Sequence, residues 1–127
     1  MGCEMAICYT WIVIFIMIDE LIKLAKKHPG FKELSDYGLR VMFETYKNST
    51  LIYRDNGEIK AFAVYQEWPD CLNFIAVVGA SGDKSDNIRY LLRMLGRNNR
   101  PSPEKKVCYF DEIKMELKVL CRLSQQQ

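Results

Sequence analysis

Two glycines bracket the segment Gly79-Ala-Ser-Gly82, which falls where the apolar run Phe74-Ile-Ala-Val-Val78 gives way to a helical pattern of Ile88, Leu91, Leu92 and Leu95. A glycine-bearing turn that opens a helix leaves backbone N–H groups without intrahelical partners and points the positive end of the helix dipole outward. Such a junction can seat a phosphate or pyrophosphate. A glycine pair also simply turns a chain, so the surrounding pattern decides how the segment is read. Other chemistries lack their residues. There is one histidine, His28, and the five cysteines (Cys3, Cys8, Cys71, Cys108, Cys121) are widely spaced with no C-x-x-C among them, which argues against structural zinc and against a disulfide scaffold. No metal is expected. No serine or cysteine sits in a motif such as G-x-S-x-G, so hydrolase chemistry has no support.

The elements around the junction follow from periodicity and punctuation. Ile18, Leu21, Ile22 and Ala25 make one face of a first helix that His28-Pro29-Gly30 stops. Leu39, Met42, Phe43 and Tyr46 make one face of a second helix with Ser35 or Asp36 as its N-cap. Leu51 to Arg54 and Ile59 to Trp68 are strand-like, and Asp55-Asn56-Gly57 between them is a hairpin signal because Asn-Gly accepts positive φ at both turn centres. The second run should be central, covered on both faces. Trp68-Pro69-Asp70 turns into a third, fully apolar strand, Cys71 to Val78. After the junction, Ser85 or Asp86 should cap a helix ending near Gly96, a loop follows from Arg97 to Lys106, and Val107 to Phe110 is a strand. Ile113, Met115, Leu117 and Val119 alternate with charged residues, which predicts a final half-exposed strand. The order is helix, helix, three strands, helix, two strands, an α+β three-layer α/β/α arrangement with a mixed, mostly antiparallel sheet of five to six strands and one crossover helix.

With 127 residues, 49% of them hydrophobic, one compact domain can bury roughly two-thirds of its unfolded surface. The net charge of +2 is too near balance to point to a nucleic-acid partner, and Lys26-Lys27 and Lys105-Lys106 are only pairs. Free cysteines packed as small apolar groups fit a reducing, cytoplasmic setting. Met5 to Ile18 is almost wholly apolar, yet its 14 residues fall short of the ~20 needed to span a bilayer, and Glu4 with no preceding base disfavours a signal peptide. Residues 1–17 are therefore read as an apolar extension, a buried element or a surface for self-association or a protein partner. A second reading starts the domain at Met17. The domain runs over residues 18–123, and 124–127 is a polar tail.

In this order the chain resembles the GNAT superfamily of acetyl-CoA-dependent N-acetyltransferases, in particular the short, divergent members carried by bacteriophages. Thr50-Leu-Ile-Tyr-Arg-Asp-Asn-Gly-Glu-Ile-Lys-Ala-Phe-Ala-Val-Tyr65 looks like the family's first hairpin, and Leu72-Asn-Phe-Ile-Ala-Val-Val-Gly79 with Asn87-Ile-Arg-Tyr-Leu-Leu92 looks like its pantetheine-binding strand and pyrophosphate-binding helix. The resemblance implies acyl transfer from acetyl-CoA to an amine or protein acceptor. It also implies that backbone groups of Ile75, Ala76 and Val77 meet the pantetheine where the sheet splays, and that Gly79, Ala80, Ser81, Gly82 and the first helical amides, with Asn87, hold the pyrophosphate. The family's loop carries Arg or Gln, two residues, Gly, one residue, then Gly or Ala; this chain departs from it. Asp83 and Asp86 bring negative charge, and two unit charges at about 6 Å repel by roughly 1 to 3 kcal/mol; Lys84 and Arg89 could offset it. Tyr109 would be the acid that protonates the leaving thiolate, and Glu67 or Asp70 the base, with Asp111 and Glu112 as alternatives. The structural alternatives are a core-edge tyrosine for Tyr109 and solvated turn residues for the carboxylates. The competing function is a GNAT-fold binding or virion-associated module that kept the fold and lost the site.

Overall fold

In the computed structural model, which describes residues 16–94, 105–111 and 114–122, Asn56 and Gly57 take φ angles of 54° and 78°. That pair of left-handed residues is what a two-residue hairpin requires. The turn joins β1 (Thr50–Asp55) to β2 (Glu58–Glu67) with Asp55 and Glu58 as its closing pair. A second turn, closed by Trp68 N–H donating to the Cys71 carbonyl at 2.8 Å, sends β3 (Cys71–Val78) back antiparallel to β2. β3 then pairs in parallel with β4 (Lys106–Asp111), and β4 pairs antiparallel with β5 (Glu116–Arg122). The result is an open mixed sheet in the order β1-β2-β3-β4-β5.

The chain divides into two compact units, Met1–Thr45 and Tyr46–Gln127. In the first, a helix over residues 16–26 (α1) carries Ile18, Leu21, Ile22 and Ala25 as its buried face, the residues whose spacing marks that face. The second helix, α2 (Asp36–Thr45), is capped by Ser35, whose Oγ accepts the Gly38 N–H at 3.0 Å. Leu39 and Phe43 are its buried residues; Tyr46 falls beyond its end. Asp19 and Arg40 form an ion pair, and Lys26 lies 3.2 Å from Asp36.

In the second unit the β3–β4 crossover contains α3 (Lys84–Met94). Ile88, Leu91 and Leu92 of α3 pack with Leu51, Ala61, Ala63, Tyr65, Leu72, Phe74 and Val107 of the sheet. Ala61 to Tyr65 are all buried. Cys71 and Cys108 are buried free thiols. Burial, and next the neighbouring Cys71, push the Cys108 thiol up to about 11, so it stays protonated and packs as an apolar group.

Two elements differ from expectation. α3 begins at Lys84, so its cap is Asp83 rather than Ser85 or Asp86. The last strand begins at Glu116, with Met115 at φ 55° in the turn before it. The register shifts between the Val107–Cys121 and Cys108–Val119 pairs, which leaves Leu120 as an extra residue. Leu120 and Cys121 pack on the α3-side core, while Leu117 and Val119, opposite Phe110 and Cys108, lie on the other face, 49% and 60% exposed. Ile113, Leu95, Glu112 and the apolar run before residue 16 lie outside the described residues. Among the described residues no helix is long and apolar enough to cross a membrane. Leu91, 1% exposed at the centre of the α3–sheet core, is expected on truncation to alanine to destabilise the protein by about 3 kcal/mol, measured by urea denaturation.

Candidate functional site

The β3-to-α3 junction is organised by Asn87. Its side chain is 9% exposed, the one buried polar side chain among the described residues. Its Oδ1 accepts the Ser81 N–H at 3.1 Å and its Nδ2 donates to the Ser81 carbonyl at 2.9 Å. The amide therefore satisfies both backbone groups of a residue six positions upstream. Gly79 makes room for it: a Cβ at position 79 would lie 2.4 Å from Asn87 Oδ1. The first glycine serves close approach, not a left-handed backbone.

The amides that an anion would use are largely engaged by the chain. Asp83 Oδ1 accepts the N–H of Ser85 at 2.8 Å and that of Asp86 at 3.4 Å, along with the Ser85 hydroxyl. Asp83 N–H donates to Ser81 Oγ, and Asn87 N–H to the Asp83 carbonyl. The helix terminus thus carries its own carboxylate at the positive end of its dipole. Hydrogen bonds, first from the Ser85 hydroxyl and then from the Ser85 and Asp86 amides, hold the Asp83 carboxyl below its ordinary value of 3.8.

On the other side of the junction β3 and β4 part. Their pairing covers Cys71–Lys106, Leu72–Val107, Asn73–Cys108 and Phe74–Tyr109, and there it stops, although β3 runs on to Val78 and β4 to Asp111. At the same level the β2–β3 register skips Ile75, since Val64 faces Ala76 and Tyr65 faces Phe74. Ile75 is a bulge residue, 37% exposed, and Ala76 to Val78 keep β2 as their partner while the β4 side of Ile75 to Val78 has no ladder partner. A cavity of ≈ 400 Å³ lies at this end, lined by Gly82, Asp83, Lys84, Tyr109, Phe110, Asp111 and Lys118. Lys84 Nζ donates to the Phe110 carbonyl at 3.3 Å, and Lys118 Nζ lies 2.8 Å from Asp111. The hydrogen bond to Asp111 raises the Lys118 ammonium above its ordinary value.

Of the residues singled out from sequence, Tyr109, Asp111, Gly82 and Lys84 share this cavity. Gly79, Ala80, Ser81 and Asn87 line a second one on the far side of the junction, with Tyr53, Lys60, Asp86, Tyr90 and Arg93. Arg89 lines neither. Glu67 and Asp70 stand apart from Tyr109. Glu67 Oε1 is held 2.7 Å from Lys105 Nζ, and the Asp70 carbonyl accepts the Lys106 N–H. Both belong to the end of the sheet where β3 and β4 are still paired. Lys118, Tyr53, Lys60, Tyr90 and Arg93 were not singled out. The signal for three of the cavity residues is the stripe Asp86, Tyr90, Arg93 at i, i+4, i+7, beside the apolar face of α3. No protein-family model, curated protein or solved structure matches this chain.

Asp83 has a depressed native pKa, so its contribution to stability is full above the ordinary carboxylate range and fades as pH falls through the native value. Asp83→Ala is expected to lower the melting temperature at pH 7 by roughly 3–5 °C and to converge on the parent protein as pH falls below the depressed native pKa, measured by thermal denaturation across pH. Gly79→Ala is expected to destabilise more than Gly82→Ala, because an alanine at 79 displaces the Asn87 amide whereas position 82 has open space around it.

Proposed function

We propose that the chain is a GNAT-type N-acyltransferase whose thioester donor, acetyl-CoA, lays its pantetheine arm between β3 and β4. The observation that carries this reading is the end of β3–β4 pairing at Phe74–Tyr109, at the level of the Ile75 bulge, with both strands continuing beyond it. A sheet that closes fully along two parallel strands has no backbone to offer. Here the β4-facing groups of Ile75, Ala76 and Val77 can hydrogen-bond the amides of an extended arm as a missing strand would, at about 0.5–1.5 kcal/mol net for each bond.

The cavity at the open end supports the same reading. Tyr109 is the last β4 residue paired to β3, and its hydroxyl would supply the proton that the leaving thiolate takes up. Asp111 shares the cavity, so it, rather than Glu67 or Asp70, is the carboxylate suited to accept the proton of an incoming ammonium through water. Lys118 beside it keeps that carboxylate oriented. Lys84 offers positive charge to the donor's phosphates, whereas the α3 terminus is already occupied by Asp83. The occupied terminus favours a second reading, a GNAT-fold module of a phage or virion that binds without catalysing.

The two readings separate on CoA binding and turnover. At a CoA concentration a hundred times its Kd, the protein should gain about 2.7 kcal/mol of stability, and Tyr109→Phe should leave that gain in place while lowering acetyl transfer to an amine by roughly a hundredfold or more. Absence of both stabilisation and turnover favours the module that kept the fold and lost the site. Unchanged melting at millimolar CoA sinks the acyltransferase.

A further inference from the structure

The second cavity, ≈ 330 Å³ in volume, belongs to none of the chemistry above. It lies between the β1–β2 hairpin and the outer stripe of α3, and the Gly79–Ser81 backbone closes one side. Its size falls within the range of small-ligand pockets. Its walls are of three kinds. Tyr53 and Tyr90 meet edge to face, ring centroids 5.5 Å apart at 88°. Tyr90 is 43% exposed, which leaves aromatic surface open to a planar group. Asp86 supplies an acceptor, and Lys60 and Arg93 supply positive charge from opposite walls. Lys60 pairs with Glu58 in an exposed contact at 3.1 Å, an interaction weak enough to exchange for a bound anion.

We infer that this cavity binds a purine nucleoside monophosphate, with the base stacked on the exposed ring of Tyr90, its exocyclic amine donating to Asp86 and the phosphate held by Arg93 and Lys60. The spacing of the charges selects the ligand. Asp86 and Arg93 lie seven residues apart on one stripe of α3, about 10.5 Å along the helix axis, with Tyr90 between them. An amino acid, whose ammonium and carboxylate share one carbon, cannot reach both ends. A nucleotide carries its base amine and its phosphate at opposite ends of an elongated molecule and can. The alternative for the aromatic pair is plain packing at the edge of the core. Packing accounts for the ring contact but not for an open cavity that gathers two cations and a carboxylate around it.

The inference stands apart from the acyltransferase reading, and the experiment separates the two cavities. Adenosine 5′-monophosphate is titrated into the full chain and followed by protein NMR and calorimetry. Saturable binding is expected, with shifts at Lys60, Gly79 to Ser81 and Tyr90, and with adenosine and inorganic phosphate each weaker by roughly tenfold or more. Arg93→Glu should weaken binding by roughly tenfold or more, and Lys118→Glu should leave it unchanged. Arg93 is exposed, so its replacement tests the site without disturbing the core, and an unaltered melting curve in the absence of nucleotide checks this. Absence of saturation at ~5 mM nucleotide, retention of full affinity in Arg93→Glu, or loss in Lys118→Glu overturns the assignment; the last outcome moves the nucleotide to the β4 cavity.

Discussion

The rest of the second unit depends on β3 having unlike neighbours. Its partner on one side, β2, is antiparallel and can be reached by a tight turn; its partner on the other, β4, is parallel and cannot. The chain must therefore leave the sheet after Val78, cross one face as α3 and return at Lys106. That requirement places a loop at the end of the central strand, where Asn87 then fixes it through Ser81. The fixed loop separates two cavities, one toward the β1–β2 hairpin and one toward β4. It also accounts for where the sheet can open. Antiparallel pairing continues past Ile75 on the β2 side, while the β4 side carries only four register pairs before the strands part.

The hairpin turn, the first two helices and the central strands were legible in the sequence because each rests on local chemistry. Asn56-Gly57 needs only its own φ angles, and the buried faces of α1 and α2 need only their spacing. The start of α3 was harder to read. Asp83, Ser85 and Asp86 are all good caps, and the choice among them falls to a contact between Asn87 and Ser81 that fixes how tightly the loop turns. The extra residue in β5 was also hidden. Leu117 and Val119 alternate with charges as a core-facing pair would, but a ladder shift at Leu120 is a property of two strands together.

At the junction the structure gives the pattern a local cause. Its glycine-and-amide pattern suggested an anion seat, and the amides are there, yet the chain's own Asp83 accepts several of them. The strand register sets Tyr109 further along the sheet than Glu67 and Asp70. Glu67 and Asp70 adjoin the beginning of β3, Tyr109 lies toward the end of β4, and parallel strands keep beginnings with beginnings. Asp111, beyond Tyr109 on the same strand, lines the same cavity.

The outward turn of Leu117 and Val119 bears on how the protein behaves in solution. Among the described residues β5 is an outer strand of the sheet, so its unpaired backbone edge and its apolar side chains are presented together. Natural edge strands commonly avoid that combination with outward charge, proline or a covering element. With a net charge of only +2, little long-range repulsion keeps two copies apart. This edge is then a place where copies can associate, and salt, which screens what repulsion there is, would promote that association rather than suppress it.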